Sequence, residues 1–282
     1  MSGCVRVRRL LTATPLARQH ERGLAGTLTR RVPAIPWDTF DRSKYHDAAL
    51  RLAAHAQTKL ALGEYGAVDL FAHLASSMSL LGVPFDLVAA AARVPADEIR
   101  HADYAMRAAK LLSGEDVAIT LDTDMVAKRW VKPVDMERLD HIMLELCAIG
   151  ETLSCALLSA CLERATDPVM HALYAGIVAD EVHHARLGWY YFAWRAPQWS
   201  MAEKQRVSDH GGNLLVKLEK QFWNGRDAVP KARKAARALG VLESKGQRQA
   251  VKAVMEGEIV PALDALGLGA SHAWRIRERG TA

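Results

Sequence analysis

Several things are scarce in this chain, and each scarcity excludes something. Aromatic residues make up only 6% of the 282 residues, and runs of β-branched residues are few, which disfavours a sheet-based fold. Cysteines number four: Cys4, Cys147, Cys155 and Cys161, with no Cys-x-x-Cys pair. That is too few for a disulfide scaffold. Cys147 and Cys155 stand eight apart on one predicted helix, so they share a face but cannot bridge; reduced core thiols of a cytosolic protein account for them. No stretch approaches 18 uninterrupted apolar residues, so no membrane span is expected. Acid is nearly missing from the first 31 residues, which hold seven Arg and only Glu21. The apolar pair Leu10-Leu11 is too short for the core of a secretory signal. An Arg-rich, acid-poor start also has the composition of an organelle transit peptide.

Apolar residues, by contrast, make up 50% of the chain and charged residues 24%. That excludes a disordered or collagen-like chain and supplies enough surface for a sizeable core. The net charge of +5 is unevenly placed: +5 overall less +6 in residues 1–31 leaves −1 for everything after them. The basicity belongs to an arm, expected over 1–36 as a mobile terminus, with an anionic partner as the alternative.

From Ser43 onward the sequence is rich in Ala and Leu with helical periodicity. Helix 1 is expected over 44–81, ended by Gly82-Val83-Pro84. Helix 2 is expected over 84–112, kinked or split by Pro95, which removes a backbone donor and crowds the preceding turn. Residues 114–134 lack a helical pattern and read as a long crossover. Helix 3 comes next over 135–165 with Asp135 as N-cap, then a turn at Thr166-Asp167-Pro168, then helix 4 over 168–195. Two long hairpins joined by one long crossover form the pattern of an all-α, ferritin-like four-helix bundle over 37–199. Further helices are expected at 200–223, 229–239 and 246–266, the last bent or ended by Pro261. They form a C-terminal extension over 200–282 packed on the bundle, within one domain.

Two short segments match each other. Residues 96–102 read Ala-Asp-Glu-Ile-Arg-His-Ala, and residues 179–185 read Ala-Asp-Glu-Val-His-His-Ala. Each holds Glu-x-x-His: Glu98 with His101, and Glu181 with His184. Positions i and i+3 share a helix face, so a carboxylate and an imidazole can grip the same side of one metal site. Chance alone gives roughly 0.6 Glu-x-x-His matches in a chain of this composition, and roughly 0.035 once Asp must precede the Glu. Two occurrences are therefore informative.

Register supplies the other acids, because residues equidistant from a hairpin turn lie level. The level partner of Glu181 falls near 152, where Glu151 stands; Glu145 would lie about 9 Å away along the axis. The level partner of Glu98 falls near 67, with Glu64 and Asp69 both within a turn. Glu64 shares its face with Leu60, Ala61, Ala67, Val68 and Phe71, whereas Asp69 lies with Tyr65, Gly66, His73 and Ser76. Glu64 is the inward candidate, since a carboxylate on an apolar face is costly unless paired or metal-bound. Asp69, His73, His141, Glu145 and His183 are expected in solvent or around the site rather than on a metal. Four carboxylates and two imidazoles suit two ions of iron or manganese.

At these residues the chain resembles the ferritin-like diiron-carboxylate superfamily over roughly 44–195, in the order Glu64, Glu98–His101, Glu151, Glu181–His184. The Asp-Glu-x-Arg-His form at 97–101 looks most like the O2-activating members, bacterial multicomponent hydroxylases and diiron N-oxygenases. The resemblance implies that Asp97 and Asp180 hydrogen-bond the His ligands, that Arg100 pairs with an Asp, and that Glu98 and Glu151 are candidate bridging ligands. Two positions depart from relatives: Ile177 stands where N-oxygenases carry a further His, and Ala148 where rubrerythrin-type peroxidases carry a further Glu. The activity implied is that of a cytoplasmic non-haem diiron monooxygenase, a homodimer using O2 and an external electron donor (a reductase or ferredoxin) to oxidise a small-molecule substrate. Manganese or a mixed Mn/Fe pair is an alternative cofactor. Alternative functions are a ferroxidase or dimanganese catalase-like enzyme; a diiron tRNA hydroxylase holding phosphates through the arm and Lys231, Arg233, Lys234 and Arg237; and a metal-free helical binding module.

Overall fold

The computed structural model describes residues 35–121, 133–223 and 234–279, together with Arg18. The basic arm otherwise lies outside the described residues, as do the middle of the expected crossover and both Lys231 and Arg233. Every regular element among the described residues is helical. The chain divides into two compact units, one of residues 1–34 and 54–139, the other of residues 35–53 and 140–282.

In the first unit, helix α1 (Asp47–Leu80) enters at Ala54 and runs to a turn at Gly82. Gly82 adopts φ 71°, the left-handed region open to glycine. Val83 N–H then closes back on the Met78 carbonyl at 3.0 Å, and Pro84 precedes the next helix. Pro95 does split the second expected helix. A short helix α2 (Phe85–Ala91) stops, and α3 (Val94–Ser113) restarts with Pro95 in its first turn, where a missing N–H costs nothing. Gly114, φ 80°, ends α3 by donating to the Lys110 carbonyl at 2.8 Å. Phe71, Leu74, Met78, Leu87, Ala105 and Leu112 are buried.

The second unit is built on an antiparallel hairpin. Helix α4 (Met136–Arg164) belongs to this unit from Asp140 onward, and α5 (Pro168–Arg195) comes after it. Asp135 caps α4 by accepting from Arg138 N–H at 2.8 Å. Asp167 caps α5 by accepting from Val169 and Met170 N–H, while Tyr45 Oη donates to its other oxygen at 2.7 Å. The hairpin closes tightly: a Cβ added at Gly188 would lie 2.3 Å from the Ala148 nitrogen. Only glycine permits that backbone approach.

A buried polar knot fixes the open end of the hairpin. Asp140 accepts from Tyr191 Oη at 2.6 Å and from Trp199 Nε1 at 2.9 Å, and pairs with Arg195 Nε at 3.2 Å. Arg195 also bonds Glu203 at 2.7 Å, tying in helix α6 (Met201–Trp223). Burial pushes the Asp140 carboxyl up, and its three donors oppose that shift.

Helix α7 (244–265) and α8 (Ala270–Arg279) complete this unit. Pro261 does not end α7, which runs on to Ala265. It comes just after a π-helical turn, Met255–Ile259, whose wider spacing relieves the crowding proline imposes on the preceding turn. A second π segment, Met143–Glu151, lies inside α4. By length and hydropathy α4 could cross a bilayer, yet 44% of its most apolar window is buried within the protein; a core helix passes the same test.

Candidate metal centre

Each unit builds a cluster of two glutamates and one histidine. In the first, α1 supplies Glu64 while α3 supplies Glu98 and His101, all three buried. His101 Nδ1 lies 3.6 Å from Glu64 Oε2 and 3.8 Å from Glu98 Oε2. In the second, α4 supplies Glu151 while α5 supplies Glu181 and His184. His184 Nδ1 lies 3.5 Å from Glu181 Oε1 and 4.0 Å from Glu151 Oε2. The Glu181 and His184 side chains are buried, and that of Glu151 is 14% exposed.

The two clusters repeat one design. In both, a Glu-x-x-His pair turns its Nδ1 toward its own glutamate and toward a second glutamate from the preceding long helix. These separations exceed a hydrogen bond and approach the roughly 3.0–3.5 Å between neighbouring ligand atoms around a first-row metal bound at about 2.1 Å. Within each trio the ligand atoms all lie within 4.8 Å of one another. Two carboxylates against one imidazole remain anionic even with the imidazole protonated, and burying that charge is costly unless a cation joins it. The residues thus fit a metal ion, and the buried Glu/His groups could hold one.

Neighbouring contacts fix the helix that presents Glu151. Trp189 Nε1 donates at 3.1 Å to Thr152 Oγ1, which itself donates at 2.6 Å to the Ala148 carbonyl. Glu151 is the last residue of the π segment, a helix variant frequent at functional sites. Gly150 accommodates the wide turn, since a Cβ there would stand 3.0 Å from the Glu145 carbonyl oxygen. The Cys155 thiol is pushed up by burial and by the charge of Glu181. Cys147 is fully buried and its thiol is also raised, as core packing requires.

The remaining candidates sort clearly. Glu145 is 39% exposed and faces Lys217 and His210 at 3.5 and 3.7 Å, not the Glu151 trio. His141 stacks on His210 at 4.3 Å. Asp69 pairs with His73 on an exposed face. Arg100 pairs with an Asp as expected, and that Asp is its helix neighbour Asp97. Asp180 is buried, at 3% exposure, and His183 is half-buried. Ile177 and Ala148 are core residues, and the Ala148 backbone lies against Gly188. The matched segment at 96–102 sits in the first turns of α3 rather than mid-helix, because Pro95 breaks the chain just before it. Sequence reasoning missed Gln57 and Asp86, both fully buried in the first unit. Nothing in their spacing distinguishes them from surface polar residues.

No protein-family model matches this chain, and neither does any curated protein or solved structure.

Proposed function

We propose that this chain is a non-haem diiron oxygenase with a ferritin-like four-helix arrangement. The residues we assign to its metal ions are Glu64, Glu98, His101, Glu151, Glu181 and His184. The observation carrying this reading is the duplication: the same three donors, at the same i,i+3 spacing and with the same Nδ1 orientation, occur once in each unit. Three donors per cluster are few for one ion, whereas four carboxylates and two imidazoles match a pair of divalent first-row ions.

Held by these residues, two irons would supply the redox chemistry that lets O2 oxygenate a C–H or N–H bond. The overall balance is R–H + O2 + 2 e⁻ + 2 H⁺ → R–OH + H2O. The electrons come from a separate protein, since the chain carries no flavin or iron–sulfur motif. The protein's own part is to hold six donors at fixed positions. The Asp97–Arg100 pair braces the outer face of α3 beside His101. The Trp189–Thr152 bond keeps α4 seated on α5 beside Glu151.

The test is O2 uptake by iron-loaded protein given a chemical reductant and a panel of small aromatic and aliphatic substrates. Oxygenated product, with uptake lost in Glu98→Ala and Glu181→Ala, supports the reading. Rapid O2 release from H2O2 by manganese-loaded protein, with no oxygenated product from the iron form, sinks it in favour of a catalase-like enzyme.

A further inference from the structure

A second feature, in the second unit, is a cluster of cations around a cavity of about 240 Å³. Its lining brings together Arg164 from the end of α4, Arg237 from the short turn Ala236–Leu239, and Lys245 and Gln249 from the start of α7, with Gly246 and Glu243. Three cations face one carboxylate. Among the described residues, Arg237, Lys245 and Glu243 enter no ion pair, so the like charges are gathered without being neutralised. Three cations around one carboxylate give the cavity a positive potential that attracts an anion.

The local packing is arranged around the guanidinium of Arg164. Its Nη1 donates to the Ala160 carbonyl at 3.0 Å, which anchors the side chain to its own helix. Its Nη2 lies against the first turn of α7, where a Cβ on residue 246 would stand 3.2 Å away. Gly246 is buried, and its missing side chain leaves that approach open.

We infer that this cavity binds a phosphate group, as inorganic phosphate or as the phosphate of a small monoester. Arg164 and Arg237 supply planar donor pairs that match two phosphate oxygens. Lys245 supplies a point charge, and Gln249 a neutral donor. The volume is below that of typical small-molecule sites, which suits one phosphate and part of the group it carries. The site does not depend on the metal centre, and its test does not use activity.

The experiment is calorimetric titration of the full chain with inorganic phosphate and, separately, with glycerol phosphate, at constant ionic strength set by NaCl. Saturable binding is expected, weakened about tenfold by Arg237→Gln and by Lys245→Gln. Both are exposed side chains whose loss leaves the fold intact. Glu243→Gln tightens binding by a few fold, and Lys252→Gln leaves it unchanged, because Lys252 pairs with Glu256 away from the cavity. Tighter binding of glycerol phosphate identifies a monoester as the ligand, and equal or weaker binding identifies free phosphate. Three results overturn the inference: no saturable binding of either probe, equal affinity in wild type and both cation variants, or binding of a uridine oligonucleotide that neither probe displaces.

Discussion

Gly188→Ala is the substitution for which the structure gives the sharpest expectation. An added methyl would lie 2.3 Å from the Ala148 nitrogen, 2.5 Å from its Cα and 2.7 Å from the Cys147 carbonyl carbon. All three are backbone atoms, so no rotamer change relieves the clash. Restoring ordinary contact means parting α4 and α5 by about 1 Å, against close packing along the hairpin. Overpacking of this kind costs about 2–4 kcal/mol, a fall in melting temperature of roughly 5–12 °C for a unit of this size. The separation would also spread the Glu151 trio, because Ala148 lies one turn before Glu151 and Gly188 one turn after His184. Gly63→Ala is the matched control. It sits exposed inside α1 with nothing within 4 Å of its Cβ position, so alanine should stabilise by about 0.5–1 kcal/mol. Thermal unfolding of metal-free protein measured by circular dichroism reads both. A Gly188→Ala protein within about 0.5 kcal/mol of wild type would refute the close approach of the two helices.

The same contacts set other expectations. Tyr191→Phe keeps the ring but strips Asp140 of its 2.6 Å donor, and should cost about 1–2 kcal/mol in urea unfolding. Asp140→Ala leaves Arg195 paired only with Glu203 and strips the Tyr191 and Trp199 donors of their acceptor, and should cost about 1–3 kcal/mol. The stacked pair His141–His210 sets an acid-side limit. Burial first, then the neighbouring His141, holds the His210 imidazole below its ordinary value of 6.5. The folded state therefore resists protonating His210, so stability contributed by its neutral imidazole is present above pH 6.5 and lost as pH falls below it. His210→Phe should flatten that limb of a stability–pH curve; an unchanged slope would remove the pair as its cause. Glu203, lowered to about 2 by its bonds to Ser200 and then Arg195, should lose its contribution between pH 4.5 and 2, and Glu203→Gln should remove that acid transition.

The features legible in the sequence were those that rest on local pattern. The cap at Asp135, the turn at Thr166-Asp167-Pro168, the stop at Gly82 and the break at Pro95 each depend on residues within one turn, and each appears where expected. Register arithmetic chose Glu151 over Glu145 and the apolar helix face chose Glu64 over Asp69, and burial agrees in both cases. The π segments were not legible, because an i→i+5 turn uses the same apolar residues as an α-helix; Gly150 in an apolar run was the one available hint. Pro261 misled as a helix end for the same reason, since the widened turn that tolerates it leaves no mark in composition. Helix α8 was missed because Gly267 and Gly269 precede it and few apolar residues define its face. The Asp140 knot joins residues 51 and 59 positions apart, and no local rule predicts such a pairing.

The central claim is that the Glu/His clusters hold metal. The direct measurement is metal content by mass spectrometry after anaerobic iron loading and desalting, for wild type, Glu98→Ala, Glu181→Ala and Glu145→Ala. The proposed function predicts about two irons per chain in wild type and in Glu145→Ala, with iron lost or sharply reduced when Glu98 or Glu181 is removed. Fewer than about 0.2 irons per wild-type chain, or loss in Glu145→Ala with retention in Glu181→Ala, would contradict it.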